Sequence, residues 1–184
     1  MKIDIYNTKN KYQIIYADPP WKATESGTGV RGTSDLHKRY KGVMTIDEIC
    51  DMPIKDIADD NCILFLWVTF PRLLEGIKTI ESWGFKYKSL GFNWVKKNKK
   101  SDSLFWGMGY YTRQNPEICL IGLKGKITKQ ASDVHCVIES PIEEHSKKPA
   151  IIREKIIEIA GDLPRIELFA RQTADGWDCF GNEI

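Results

Sequence analysis

Asp18, Pro19, Pro20 and Trp21 come directly behind the apolar run Ile14 to Ala17, and that order of groups suits few chemistries. Two consecutive prolines hold φ at about −65° and remove two backbone donors, so the chain leaves a strand there through a rigid elbow. The elbow presents acceptors: an ionised Asp18 carboxylate and a free Pro19 carbonyl, beside the flat apolar face of Trp21. Such a surface fits an exocyclic NH2 on a planar ring. Two acceptors hold its two hydrogens, and drawing them out of the ring plane weakens the conjugation that makes such a nitrogen a poor nucleophile. The plain structural alternative is a rigid turn in which Asp18 caps its own backbone.

An amine of this kind, such as that of adenine, needs an activated one-carbon donor. S-adenosylmethionine, with its electrophilic sulfonium methyl, supplies one without a metal. A cofactor of that kind sits outside the carboxyl ends of strands in an open α/β sheet, where the strand order switches. Asp18 lies just past a strand, as that rule requires.

The elements that must position the elbow are legible as alternating apolar runs and amphipathic stretches, the pattern of an α/β domain. Strands are predicted over Tyr12 to Ala17, Cys62 to Val68, Lys86 to Val95, Glu117 to Lys124, Asp133 to Ile138 and Arg165 to Ala170. Several are apolar without alternation, which implies burial on both faces. Thr45-Ile46-Asp47-Glu48 has capping-box spacing and predicts a short helix to about Asp51, the cap contributing about 1 kcal/mol. Pro71 suits a first helical position, with Leu73, Ile77 and Ile80 on one face and Gly84 as the stop. Pro149 opens another helix, with Ile152, Ile156 and Ile159 on one face and Gly161 as the stop.

Two long irregular stretches remain, Lys22 to Val43 and Lys96 to Asn115, and loops of that length in a compact domain are usually functional or disordered. The first carries Arg31, His37, Lys38, Arg39, Tyr40 and Lys41; the second carries Lys96, Lys97, Lys99, Lys100, Phe105, Trp106, Tyr110, Tyr111 and Arg113. Positive charge interleaved with rings suits a single strand or an unstacked base, at roughly 1 to 3 kcal/mol of stacking per base. A solvated lysine turn beside aromatics tucked onto the core is the competing reading, and composition does not separate the two. His37 and His135 carry no assignment.

At 184 residues the chain is expected to form a single domain, 1–184, that buries roughly 70% of the surface its unfolded chain exposes. The five cysteines include no C-x-x-C pair, so no disulfide or metal framework is expected, and Cys62 and Cys119 read as buried thiols. No apolar stretch approaches the roughly 18 to 20 residues of a membrane span, and Met1 to Asp4 has no signal-peptide core, which gives a cytoplasmic reading. A net charge of +2 makes any basic footprint local.

The chain resembles, over Asp4 to Glu183, the adenine-N6 methyltransferase family that contains the catalytic subunit of the eukaryotic messenger-RNA methyladenosine writer and many bacterial and phage relatives. The segments that carry the resemblance are Asp18-Pro19-Pro20-Trp21, Leu64 to Thr69, Trp83-Gly84-Phe85, Gly109-Tyr110-Tyr111 through Glu117, His145 to Pro149, Glu167 to Arg171, and Gly176-Trp177-Asp178 followed by Gly181-Asn182. The family's fold implies an α/β, doubly wound, mostly parallel sheet with one antiparallel strand.

The resemblance further implies that Asp18, Pro19, Pro20 and Trp21 form the catalytic pocket for the target amine, with S-adenosylmethionine as cofactor and no metal. It places Asp4 and Ile5 at the adenine end of the cofactor, Asp18 by its amino group, Lys148 by its carboxylate, Glu167 on the ribose hydroxyls, and Arg171 and Asn182 nearby. Plain alternatives stand beside these: a solvated Lys148 at a helix start, a Glu167 paired with Arg165 or Arg171, and an Asn182 in a frayed tail. Tyr40 is implied to line the approach to the amine, and Trp67 to be core packing with one edge near the pocket. Together with Trp21 and Tyr40, the basic and aromatic residues Arg31, Lys38, Arg39, Lys97, Tyr110 and Arg113 are the expected substrate contacts. Glu143 and Glu144 depart from bacterial relatives, where basic residues are common before His145.

The expected reaction is methyl transfer to adenine N6 in nucleic acid, with DNA preferred over RNA because compact relatives lack the zinc fingers of RNA-directed ones. The target base must be flipped out of a duplex or supplied single-stranded. RNA methylation is the rival, and a non-catalytic partner subunit of a heterodimer is another, though such partners usually lose the acidic or aromatic end of the elbow. Methylation of cytosine N4 or of a glutamine side chain is a third. A homodimer or a heterodimer with a related subunit is compatible with the resemblance.

Overall fold

The computed structural model describes residues 1–22, 42–109, 111–143 and 147–184. Tyr12–Ala17 forms β1, whose side chains are buried on both faces. The alternation of a strand sends Ile14 and Tyr16 to one side of the sheet and Ile15 and Ala17 to the other. The remaining strands are β2 (Ala58–Val68), β3 (Lys86–Lys97), β4 (Glu117–Lys124), β5 (Val137–Pro141), β6 (Arg165–Leu168) and β7 (Asp178–Phe180). They join in one seven-stranded sheet of order β5-β3-β4-β2-β1-β6-β7. β4 runs antiparallel to both its neighbours, β2 and β3, and every other pairing is parallel.

Helices cover both faces. On one, α1 (Ile46–Cys50), α2 (Ile54–Ile57) and α3 (Leu73–Ser82) bring Ile49, Ile54, Ile57 and Ile80 against Ile15, Leu64, Leu66 and Val68. On the other, α4 (Ile151–Ala160) brings Ile152 and Ile156 against Ile14, Tyr16, Phe65 and Trp67. This is the doubly wound α/β sheet with one antiparallel strand that the resemblance implied.

The local signals explain most boundaries. Thr45 and Glu48 close the expected capping box, with Thr45 N donating to Glu48 Oε2 at 2.7 Å and Glu48 N donating to Thr45 Oγ1 at 3.3 Å. α1 ends at Cys50, with Asp51 as its C-cap. Gly161, at φ 92°, stops α4 where a left-handed residue is needed. Pro71 differs from expectation: it lies in a 3-10 turn, Phe70–Arg72, and Arg72 (φ −112°, ψ 17°) separates that turn from α3.

Four strands also shift and a seventh, β7, adds to the six expected; β3 runs on past Val95 through Lys96 and Lys97, expected in an irregular stretch, because both pair with β5. β2 begins at Ala58, which pairs with Tyr12 of β1, and the register then jumps to Ile14 with Ile63, so the polar residues Asp59 to Asn61 that interrupt the apolar run fall at an irregularity in the pairing. β5 starts at Val137 rather than Asp133, since it pairs with the second half of β3, from Asn93, where Phe92, Trp94 and Ile138 share a core. β6 stops at Leu168 because Phe169 takes φ 61°, which a strand does not accommodate.

The end of β7 closes against the end of β6 with unusual proximity, Ala170 N donating to Phe180 O at 2.9 Å. A Cβ on Gly181 would stand 2.0 Å from Ala170 O, so only glycine lets these two segments meet. Gly181→Ala is therefore expected to cost about 1 to 3 kcal/mol and to lower Tm by about 3 to 10 °C in a calorimetric scan; an unchanged Tm would contradict this close approach.

Candidate active site

β1 has β2 on one side and β6 on the other, so the strand order switches at β1. Because the other strands run parallel to it and β4 runs the opposite way, the ends of β1, β2, β6 and β7 and the start of β4 share one edge of the sheet. A cavity of about 470 Å³ opens there. It lies within the roughly 300–1,000 Å³ range of small-molecule sites. Asp18 to Trp21 line it after β1, Val68, Thr69 and Arg72 at and beyond the end of β2, Phe169 to Arg171 after β6, and Phe180 to Glu183 at and beyond the end of β7, with Glu117 and Lys148 also on the wall.

The elbow keeps less acceptor capacity than its sequence suggests. Trp21 N donates to Pro19 O at 2.9 Å, and Met44 N donates to Pro20 O at 2.9 Å. The Pro19 carbonyl is thus already engaged rather than free, and its second lone pair is what remains for a ligand. Those backbone bonds, with Lys22 N donating to Met44 O at 2.8 Å, brace the elbow against the segment that leads into α1. The Trp21 indole Nε1 is buried without a hydrogen-bond partner among the described residues.

Charge in the cavity is organised around Lys148. Its ammonium lies 2.7 Å from Asp18 Oδ2 and 3.2 Å from Glu117 Oε2, and 5.5 Å above the ring of Trp67. Lys96 reaches Glu117 Oε1 at 2.5 Å from the other side. Trp67 is held in turn by its Nε1–H, which donates to the Tyr16 hydroxyl at 2.8 Å. Burial raises the Asp18 pKa above the ordinary carboxylate value, and Lys148 offsets this only in part. Burial also works against the Lys148 charge, but Asp18 and Glu117 outweigh it and hold the ammonium above its usual pKa. At Glu117 burial is outweighed by Lys148 and Lys96, and its pKa falls.

Of the residues expected from the sequence, the structure brings Asp18, Pro19, Pro20, Trp21, Lys148, Arg171 and Asn182 to one cavity, and the buried Trp67 is also on its wall. It does not bring Asp4, Ile5, Glu167, Lys97 or Arg113 to that wall. Asp4 turns back on its own segment, accepting from Tyr6 N at 3.0 Å and from Asn7 Nδ2 at 2.5 Å, and Ile5 is in the core. Tyr6 is the residue of that segment on the wall, edge-on to Phe180 at 6.1 Å. Glu167 is engaged through both oxygens by Arg153, at 2.6 and 2.9 Å, a partner other than the Arg165 or Arg171 weighed for it. Lys97 pairs with Asp102 at 2.7 Å and Glu139 at 3.0 Å, and Arg113 is exposed. Arg31, Lys38, Arg39, Tyr40, Tyr110, His145 and Ser146 lie outside the described residues.

Sequence reasoning missed Glu117, Arg72, Phe169 and Phe180 on the wall. Glu117 carried a signal, an acidic residue opening an apolar strand, but nothing in the sequence says that β4 enters the sheet from the cavity edge. The loop aromatics resolve in part: Trp106 and Tyr111 are exposed and Phe105 is half-buried, so the first two are not tucked onto the core. No group of three or more His, Cys, Asp or Glu able to hold a metal occurs among the described residues, and no helix among them is long and apolar enough to cross a membrane.

The chain is similar to known sequences over nearly all of its length. A sequence model of the MT-A70 family matches residues 12–183. Type II methyltransferase M.MunI of Mycoplasma sp is 34% identical over 191 aligned residues, covering 96% of the chain and 79% of that relative. A putative N(6)-adenosine-methyltransferase MT-A70-like protein of Medicago truncatula is 30% identical, covering 95% of the chain and 26% of that relative. The N(6)-adenosine-methyltransferase catalytic subunit METTL3 of Homo sapiens is 29% identical, covering 95% of the chain and 28% of that relative. The chain thus spans about a quarter of the length of these plant and human relatives.

The charge arrangement has a measurable pH signature. The lowered pKa of Glu117 means that its contribution to stability is fully present above the ordinary glutamate value of 4.5 and is lost as pH falls through the folded-state value. Glu117→Gln is expected to cost about 1 to 3 kcal/mol near pH 7, and the gap to wild type is expected to close as acid protonates Glu117. Urea titrations across pH check this, and a gap that stays constant into strong acid would contradict it.

Proposed function

The chain belongs to the MT-A70 family, and we propose that it transfers a methyl group from S-adenosylmethionine to the N6 amino group of adenine in DNA. The observation that carries this reading is the Asp18 and Lys148 pair, opposite charges 2.7 Å apart on the wall of a cavity at the strand-order switch. The methionine end of S-adenosylmethionine is a zwitterion, and a carboxylate beside an ammonium complements its amino and carboxylate groups at once. Arg171 and Asn182 stand further along the wall, and the edge-on pair of Tyr6 and Phe180 gives the adenine end an aromatic surface. Tyr6 thus takes the role at the adenine end that was expected of Asp4 and Ile5.

When bound, S-adenosylmethionine supplies an electrophilic methyl group on a sulfonium. The residues of the chain contribute position and field. The Asp18 carboxylate and the second lone pair of the Pro19 carbonyl accept the two hydrogens of the target amine and aim its lone pair, and Trp21 supplies a face for the purine ring. Tyr40 is proposed for the opposite face. Preorganised acceptors of this kind act by orientation and electrostatics, with no covalent intermediate on the protein. The backbone bonds that brace the elbow keep those acceptors from reorganising as the amine becomes a nucleophile.

DNA is the proposed polymer because the chain is 34% identical to a type II methyltransferase, against 30% and 29% to the N(6)-adenosine-methyltransferases of plant and human. The basic loops, with Arg31, Lys38, Arg39, Tyr110 and Arg113, together with Lys97 at the end of β3, are proposed to track the nucleic-acid backbone around an everted or unpaired adenine. A cytoplasmic location and assembly as a homodimer or with a related subunit belong to the same proposal.

The test is incubation of the purified chain with methyl-labelled S-adenosylmethionine and DNA or RNA oligonucleotides, followed by digestion and nucleoside analysis. Label in N6-methyldeoxyadenosine is expected, and Asp18→Ala is expected to lower the rate by about 100-fold or more without unfolding the protein. Label confined to RNA would overturn the polymer, and label in neither polymer would overturn the reaction.

A further inference from the structure

Glu167 is an acidic residue near the end of a strand, in the position where such groups commonly meet a ribose, yet its surroundings point elsewhere. It stands opposite Tyr16 of β1 and Cys179 of β7, its side chain only 11% exposed. Both of its oxygens are occupied by one guanidinium, Arg153 Nε at 2.6 Å and Arg153 Nη2 at 2.9 Å. A two-bond fork of this kind fixes direction as well as distance, and freeing the carboxylate for a ligand would strand a mostly buried Arg153. Glu167 is therefore a poor partner for ribose hydroxyls.

Arg153 lies in the first turn of α4, five residues beyond Lys148. The intervening chain has little freedom. Pro149 is buried with its φ fixed by its ring, and its carbonyl accepts from Ile152 N at 3.1 Å while the Ala150 carbonyl accepts from Arg153 N at 3.2 Å. Anchoring Arg153 to β6 thereby sets where the chain enters α4 and where the Lys148 side chain starts. From that start its ammonium reaches Asp18, Glu117 and the face of Trp67.

We infer that Arg153 and Glu167 are a positioning pair that pins the start of α4 to β6, sets the Lys148 ammonium against Asp18, and so governs recognition of the carboxylate end of S-adenosylmethionine rather than its ribose. This rests on the cofactor reading above. It separates two ligands that share the same nucleoside: S-adenosylhomocysteine, which carries the amino-acid end, and 5′-methylthioadenosine, which lacks it. A ribose contact is felt by both, whereas a misplaced Lys148 is felt only by the first.

Calorimetric titration of both ligands into wild type, Glu167→Gln, Arg153→Met and Arg153→Lys tests the inference. Glu167→Gln and Arg153→Met are each expected to weaken S-adenosylhomocysteine by about tenfold, the loss of one charged hydrogen bond, and to leave 5′-methylthioadenosine unchanged. Arg153→Lys, which keeps the charge but not the fork, is expected to recover part of the loss and guards against an unfolded Met variant. Glu167→Gln weakening both ligands while the Arg153 variants weaken neither would place Glu167 on the ribose and overturn the inference. Equal weakening of both ligands by every variant would show general loosening and overturn it as well. Unchanged variants of a wild type that binds both ligands overturn the inference alone; a wild type that binds neither overturns the cofactor reading with it.

Discussion

A buried ammonium sets the terms for the rest of this structure. Lys148 carries its charge to the carboxyl edge of the sheet, where desolvation works against ionisation, and the oxygens of Asp18 and Glu117 keep it charged. Three separate pieces of chain must converge for that: the elbow after β1, the first residue of β4, and the residue before Pro149. Only a sheet that places β4 antiparallel between β2 and β3 brings the start of β4 to the same edge as the end of β1. The strand order is thus part of the electrostatics.

The asymmetry within this cluster matters for chemistry. Glu117 is stabilised as an anion by two lysines, whereas burial leaves Asp18 with a raised pKa even beside Lys148. Asp18 is the acceptor with interaction still to gain, and it is the one on the elbow. A ligand ammonium arriving there would supply the missing positive charge. The neighbouring backbone adds a second sign of a specialised region: Phe169 holds φ 61° on the cavity wall, a conformation that costs a bulky residue about 1 to 3 kcal/mol and persists because β6 and β7 close on each other around it.

How much of this was readable beforehand depended on whether the cause was local. The capping box at Thr45, the stop at Gly161 and the elbow at Pro19 and Pro20 are written in a few adjacent residues, and the structure shows each of them. Strand ends at Phe169 and Val137 were displaced because partners far along the chain decide them: the closure of β7 on β6 in one case, the free half of β3 in the other. The cavity residues divide the same way. Asp18, Lys148 and Asn182 stand in motif segments, and the cavity holds them. Glu117 needed the strand order, and Arg153 needed the packing of α4 on β6 before it could be seen to claim Glu167. At Asp4 the side chain satisfies its own turn, a local preference strong enough to leave Tyr6 as that segment's contribution to the wall.

The central claim is that the Asp18 and Lys148 pair is a receptor for an amino-acid zwitterion. A crystal structure of the protein with S-adenosylhomocysteine tests it most directly. The account predicts the ligand's ammonium against the Asp18 carboxylate and its carboxylate against the Lys148 ammonium, at the edge of the sheet where β1 parts β2 from β6. A ligand seated elsewhere, with no atom within hydrogen-bond distance of either side chain and their 2.7 Å contact intact, would contradict it.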